Sequence, residues 1–273
     1  FPDSLVTAKM AKKGGLLWKI GRKIEDFTYR HADKIIVISE SMKHNIMQKG
    51  VPEEKIVLIP NWIDTDAVQP VSKKENSLFD QYSLSREKFT VVYAGNFGAL
   101  QGTGVILEAA RLLKDREDIQ FVLFGGGAEF SSAKKAVSES QMPNVTIDGL
   151  LPQERVPEVY SLGHVALITC KKGTGSSAMP SKTWSIMACN TPIIAAFDTD
   201  SDLARILADS GTGITVEPED AQALADAIVQ KAEEWKEGRL VSDGREYVCA
   251  HASRASCTDR YVQTLQDICA KNN

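Results

Sequence analysis

The stretch MPSKTWSIMACNTPIIAAFD, residues 179–198, decides how this chain is read. Pro180 opens a short helix with Lys182 in its first turn. The helix runs out in small residues and Asn190, and a buried strand, 192–196, follows at once. A helix feeding directly into an apolar strand is a building unit of a parallel sheet. The first free N–H groups of a helix, and its dipole, favour an anion at that end. A cation is unfavourable there, so capping alone has no use for Lys182. The lysine points to an anionic ligand.

The same alternation extends on both sides. Candidate strands are 34–39, 56–59, 89–93, 120–124, 145–147, 165–168, 192–196 and 213–216. Helical periodicity fills 16–31, 41–49, 104–114, 131–140, 153–161, 182–188, 201–209, 221–237 and 256–270. Several strands are continuous apolar runs, as expected where helices cover both faces of a sheet. Strands alternating with helices of this length indicate parallel βαβ units. The expected fold class is α/β, with a doubly wound parallel sheet whose ligands lie at the carboxyl ends of the strands. Residues 60–88 hold Pro60, Pro70 and the polar run SKKENS without strong periodicity, and are read as a connection into a second domain.

Bulk composition narrows the function classes. The 273 residues are 43% hydrophobic and 25% charged, an ordinary globular balance. Net charge is −4, so nothing global suggests nucleic acid. Residues 1–34 nevertheless carry eight Lys/Arg against four Asp/Glu, a local excess of +4. The five cysteines show no CxxC spacing and the four histidines are scattered, which points to reduced thiols, no zinc site and a cytoplasmic setting. No apolar run approaches the ~20 residues of a membrane span. The opening FPDSL reads as the exit from a strand, so a preceding segment is expected.

Four strand-to-helix loops are candidates for chemistry. The strand 89–93 runs into AGNFGALQGTG, whose Gly95, Gly98, Gly102 and Gly104 would let backbone N–H groups approach a phosphate or a sugar. It is neither a G-x-G-x-x-G fingerprint nor a P-loop, and a tight turn explains it as well. Gly125, Gly126 and Gly127 after the next strand suggest close passage of a flat ligand or of another backbone segment. Leu150 and Leu151 could flank a base or plug the core. The fourth loop, CKKGTGSSAMPSK, carries Lys171, Lys172 and Lys182. For Lys171 and Lys172 the solvated-surface reading is preferred; for Lys182, a ligand. The coincidence of four such loops at one sheet edge argues for a nucleotide-type ligand with phosphates.

HADKIIVISESM, KIVLIPNWID, VVYAGNFGALQG, FVLFGGGAE, VTIDGLLPQERVPEVYSLGHVAL and MPSKTWSIMACNTPIIA resemble, in this order, the signatures of glycosyltransferase family 4. The resemblance covers essentially the whole chain. It implies a retaining enzyme of the GT-B fold, with two Rossmann-like domains. Residues 1–59 would be the last part of the N-terminal acceptor domain. Residues 60–250 would form a complete nucleotide-sugar domain, and 251–273 a helix returning to the first domain. The PSK and GNFG variants resemble bacterial O-antigen and capsule enzymes, which implies transfer of an N-acetylated amino sugar from a UDP donor to a lipid-linked or saccharide acceptor.

The resemblance also assigns residues. Gly95, Asn96 and Phe97 would sit beside the diphosphate and sugar, with Gln101 and Gly102 in the same loop. Gly127, Leu150 and Leu151 would line the base pocket. Pro180, Ser181, Lys182 and Thr183 would hold the diphosphate and sugar, and Ser185 would face the ribose. Lys182 and Asn96 are the candidate catalytic groups. The family often has Arg and Lys where Asn96 and Gln101 stand, which leaves Lys182 as the main phosphate cation. Its Glu-x7-Glu pair would fall on Ser177 and Ser185, a loss that Asp202 could offset. The DTD at 198–200 lies outside the expected donor loop, so no essential metal or other cofactor is expected.

Two rival readings stay open: a non-catalytic nucleotide-sugar-binding fragment, and a sugar-nucleotide epimerase of similar architecture. The basic segment 9–30 interleaves Leu16, Leu17, Trp18, Ile20, Ile24 and Phe27 with lysines and arginines. It suggests peripheral contact with the inner face of a membrane, or an ordinary helix packed on a sheet.

Overall fold

The computed structural model describes residues 12–175 and 179–271. Residues 1–11 and Ser177, read above from the sequence, lie outside the described residues. The chain divides into two compact units, Phe1–Ile59 with Asp259–Asn273, and Pro60–Thr258.

In the smaller unit, β1 (Ile35–Val37) pairs in parallel with β2 (Ile56–Leu58), Ile35 opposite Ile56. Helix α1 (Leu16–His31) precedes β1, and α2 (Glu40–Gln48) links the strands through a 3₁₀ turn, Glu53–Lys55. The Ser39 hydroxyl accepts the Met42 N–H at 3.3 Å and so caps α2. Val37, Val51 and Ile56 form the core. Helix α1 buries Gly21 and Glu25; Lys49 Nζ meets Glu25 Oε1 at 2.9 Å, and the Tyr29 hydroxyl donates to the same oxygen at 2.9 Å. The opposite stripe of the helix, Leu16, Ile20, Ile24 and Phe27 with Leu17, is left exposed. The packing of this helix therefore uses its polar face rather than its apolar one.

The larger unit holds a six-stranded, all-parallel sheet ordered β5-β4-β3-β6-β7-β8. Its strands are β3 (Phe89–Asn96), β4 (Ile119–Gly126), β5 (Val145–Gly149), β6 (Val165–Thr169), β7 (Ile193–Ala196) and β8 (Gly213–Val216). The helices are α3 (Leu78–Gln81), α4 (Gly104–Leu112), α5 (Phe130–Glu139), α6 (Val156–Leu162), α7 (Lys182–Ala188), α8 (Asp202–Ser210), α9 (Ala221–Lys236) and α10 (Gly244–His251). The division between the units falls inside α11 (Arg254–Lys271).

Strand side chains alternate between faces, and here they feed two separate cores. Val92, Val122, Ala166 and Ala195 join Tyr160 of α6, Trp184 of α7 and Leu203 of α8. Val91, Phe121, Val165 and Ile194 join Ile106 of α4 and Ile228 of α9. Both faces are covered, which is why these strands read as unbroken apolar runs. The sheet order places β3 beside β6, while the chain leaves these two strands towards opposite edges. That is a topological switch point, where crevices open at the carboxyl ends of the strands.

Three expectations need correction. Strands β3 and β4 run on through their glycines, with Gly95 opposite Gly125 and Asn96 opposite Gly126. Residues 60–88 are more than a connection, because Leu78 and Phe79 of α3 are fully buried in the core. The segment 153–161 is a 3₁₀ turn, Gln153–Arg155, followed by α6 with Pro157 in its first turn, a position that lacks an intrahelical N–H bond anyway. Helix α10 was not foreseen.

Candidate functional site

The loops that follow β3 and β6 are fastened to each other. Thr169 Oγ1 donates to the Gln101 carbonyl at 2.6 Å, and the Lys171 N–H donates to the Leu100 carbonyl at 2.9 Å. Gly102, at φ +57°, makes the crossing feasible: a Cβ there would stand 2.8 Å from the Cys170 carbonyl oxygen. The loop after β6 has a second anchor. Asp198 accepts the Gly173 N–H at 2.9 Å and the Gly175 N–H at 2.7 Å. The sequence offered Asp198 only as a metal ligand to be set aside; its structural task depends on contacts more than 20 residues away. Lys171 and Lys172 are exposed, the latter 3.6 Å from Glu217, in keeping with a solvated surface.

Lys182, the first residue of α7, reaches back to β3. Its Nζ lies 4.1 Å from the centroid of the Tyr93 ring. It passes so close to Gly95 that a Cβ there would fall 2.6 Å from Nζ. The side chain is half-buried, and among the described residues no charged group acts on it. Desolvation alone pulls its pKa down to about 8. The Tyr93 hydroxyl donates to the Asn96 carbonyl at 2.9 Å, and burial holds that phenol well above its ordinary range.

Asn96 is exposed, and its Nδ2 donates to Gln101 Oε1 at 3.3 Å. The two positions where the family pattern has cations are thus tied to one another. Gly127, at φ +113°, leaves room for this side chain, since a Cβ there would be 2.0 Å from Asn96 Oδ1.

Phe97 requires a correction. It was expected beside a diphosphate, yet its ring is fully buried. The ring stands edge-on to Tyr93 at 5.3 Å and to Phe130 at 5.4 Å, directly over Gly125, where a Cβ would come within 2.1 Å. Gly125 at the end of β4 and Gly127 just beyond it therefore accommodate Phe97 and Asn96 of this chain itself. Only the backbone of Phe97 reaches the loop edge: its N–H donates to the Gly126 carbonyl at 2.7 Å, and its carbonyl accepts from the Glu129 N–H at 2.8 Å.

At the start of α7, Ser181 is exposed, Pro180 is half-buried and no side chain caps the helix. Thr183 is fully buried, and its Oγ1 has no hydrogen-bond partner among the described residues. Ser185 is half-buried on the same helix. Leu150 is 59% exposed beside Gly126, whereas Leu151 packs on the core, so only the first is open to a ligand. Asp202 is buried and paired with Arg205 at the start of α8, a place that does not suit it to replace a missing glutamate. Among the described residues no cluster of His, Cys, Asp or Glu is placed to hold a metal ion.

Residues 88–234, more than half of the chain, match the family model described as Glycosyl transferases group 1. The chain belongs to this family. Residues 7–67 also match the model described as Glycosyltransferase Family 4. The chain is 32% identical over 228 residues to the probable glycosyltransferase WbjE of Pseudomonas aeruginosa, a match covering 84% of this chain and 56% of that one. It is 27% identical over 220 residues to the putative colanic acid biosynthesis glycosyl transferase WcaI of Escherichia coli K12, covering 80% of this chain and 54% of that one. The chain spans about half the length of the curated relatives it matches.

Among solved structures, sucrose-phosphate synthase of Thermosynechococcus elongatus superposes with a TM-score of 0.75 at 25% identity, over 98% of this chain and 66% of that one. HepE of Anabaena, solved with UDP and glucose, gives a TM-score of 0.73 at 17% identity, over 88% and 65%. The α/β fold of GT-B glycosyltransferases, expected from the sequence, is the fold of this chain.

Proposed function

We propose that this chain supplies the donor half of a retaining glycosyltransferase, which moves a sugar from UDP to a hydroxyl of a lipid-linked or saccharide acceptor. The observation that carries the reading is Lys182: a half-buried ammonium with no counter-ion among the described residues, at the carboxyl edge of the sheet where β3 and β6 diverge. An uncompensated buried cation is costly, and an anionic ligand would offset that cost. Departure of UDP builds negative charge on a diphosphate oxygen. Lys182 would stabilise that charge as it develops. This assigns the leaving-group charge to protein groups, so transfer should persist in EDTA.

The choice of UDP draws on HepE, which was solved with it. The name of WcaI, which places it in colanic acid synthesis, favours a role in cell-surface polysaccharide. An N-acetylated amino sugar is our reading of the donor group. The test is to incubate the protein with a panel of UDP-sugars and a polyprenyl-diphosphate-linked sugar. A new lipid-linked disaccharide with the donor's anomeric configuration supports the proposal. Interconverted free UDP-sugar would instead mark an epimerase, and UDP binding without turnover a binding module.

We further assign the open stripe of α1 to a membrane surface rich in anionic lipid. Leu16, Ile20, Ile24 and Phe27 fall on one side of the helix, and the exposed Lys19, Lys23 and Arg30 lie along one edge of that stripe. An apolar face bordered by cations suits the boundary between headgroups and acyl chains. No helix among the described residues is long and apolar enough to cross a membrane.

A further inference from the structure

A lysine that must meet a diphosphate needs something to aim it. A carboxylate would do so, but the ligand would then have to displace that carboxylate. Lys182 is aimed differently. Its Nζ lies 4.1 Å from the centroid of the Tyr93 ring, well inside the range of a cation–π contact. A ring face attracts the ammonium without competing for it as an ion-pair partner would, so the three N–H groups remain available to phosphate oxygens.

The ring is itself held in place. Tyr93 is fully buried, its hydroxyl is tied to the Asn96 carbonyl at 2.9 Å, and Phe97 stands edge-on behind it at 5.3 Å. Phe97 is seated against Gly125, which has no side chain to exclude it. The glycine-rich ends of β3 and β4 thus form a stack, Gly125 to Phe97 to Tyr93 to Lys182, that ends at the ammonium.

We propose that Tyr93 is the positioning residue for Lys182, holding its ammonium unpaired at the β3–α7 edge for the diphosphate of a nucleotide sugar. The inference rests on the assignment of Lys182 to the donor, and the two can fail separately. Around Nζ stand the Tyr93 ring and hydroxyl and the Gly95 backbone; among the described residues no carboxylate or second cation acts on it.

Calorimetric titration of the full chain with UDP between about pH 7 and about pH 9 tests it. Lys182 titrates at about 8. In the wild type, affinity should therefore fall about tenfold across that range, as the ammonium loses its proton. Tyr93→Phe keeps the ring and should keep both the affinity and the pH profile. Tyr93→Leu should weaken UDP several-fold at neutral pH. It should also move the fall in affinity upward, because the ammonium relaxes into water. A folded Tyr93→Leu protein with wild-type affinity and profile overturns the role of Tyr93. If Lys182→Ala binds UDP as the wild type does, the assignment of the site itself fails. Should Tyr93→Leu not fold, NMR of selectively labelled lysine in the native chain decides. Upfield-shifted Lys182 ε-methylene signals are expected, and ordinary shifts would overturn the stack.

Discussion

Gly95 leaves room for Lys182: a Cβ at this position would stand 2.6 Å from Nζ and 3.3 Å from Cε. In Gly95→Ala the methyl group must displace the end of a flexible side chain and also sit at φ +158°, a backbone conformation that strains an L side chain. The variant should lose about 1–3 kcal/mol of stability to that strain and bind UDP about tenfold more weakly, roughly 1.4 kcal/mol, the scale of one charge-assisted hydrogen bond. A thermal melt and a calorimetric titration check the two halves of this statement. Full affinity would mean that the lysine head does not work where it lies.

Asp198 holds the loop after β6 by two N–H groups, from Gly173 and Gly175. In Asp198→Asn one of the two acceptor oxygens becomes an NH₂ group. We expect a loss of about 1–2 kcal/mol, read from urea unfolding. Amide exchange at Gly173 and Gly175 should quicken; unchanged exchange would show that the carboxylate is not the anchor.

His164 is buried, and its Nδ1 accepts the Thr90 N–H at 2.9 Å. Desolvation, with a smaller contribution from the charge of Lys73, pulls its pKa down to about 3. The unfolded chain takes up this proton near the ordinary value of ~6.5, whereas the folded chain resists it until about 3. Stability from this residue is therefore full above ~6.5 and is lost as the pH falls below that value. Between about pH 7 and about pH 5 the loss should be roughly 2 kcal/mol. His164→Asn, which keeps an acceptor for Thr90, should show a flatter profile in paired urea melts. Parallel profiles would remove histidine protonation as the cause.

Thr183 buries a hydroxyl without a partner among the described residues. Thr183→Val should stabilise the free protein by about 1 kcal/mol, because an unpaired buried hydroxyl is replaced by a methyl group of similar shape. The same change should weaken UDP several-fold if the hydroxyl serves the ligand. A more stable protein with unchanged affinity would give that hydroxyl no part in binding.

The stripe on α1 predicts co-sedimentation with vesicles containing phosphatidylglycerol. Replacing Ile20, Ile24 and Phe27 with Gln should abolish it, and added salt should weaken it. Binding that ignores both salt and anionic lipid would count against a basic amphipathic surface.

Much of the fold was legible because the sheet is covered on both faces. The runs around Val91, Val122 and Ile194 are apolar throughout; the bounds of α1 were found from periodicity, and those of α7 from the proline that opens it and the strand that follows. The four residues of α3 and the eight of α10 are too few for a period to emerge. In the site, Lys182 stood out because its charge conflicts with its place at a helix start. Phe97 and Asp198 could not be read. Whether an aromatic residue beside glycines faces a ligand or the core depends on which strand lies opposite, and here Gly125 receives the ring. Asp198 is chemically ordinary until the loop it holds is brought alongside.

The hydrogen bonds that tie Leu100 and Gln101 to Thr169 and Lys171 make two distant stretches of sequence behave as one rigid rim. A ligand arriving there meets a surface already assembled, so little of its binding energy is consumed in ordering the chain. The same tie makes the two stretches respond to substitution as a pair. Substitutions on opposite sides of it should be strongly non-additive, and a change at Gly102 should be felt at the end of β6 as readily as at its own helix.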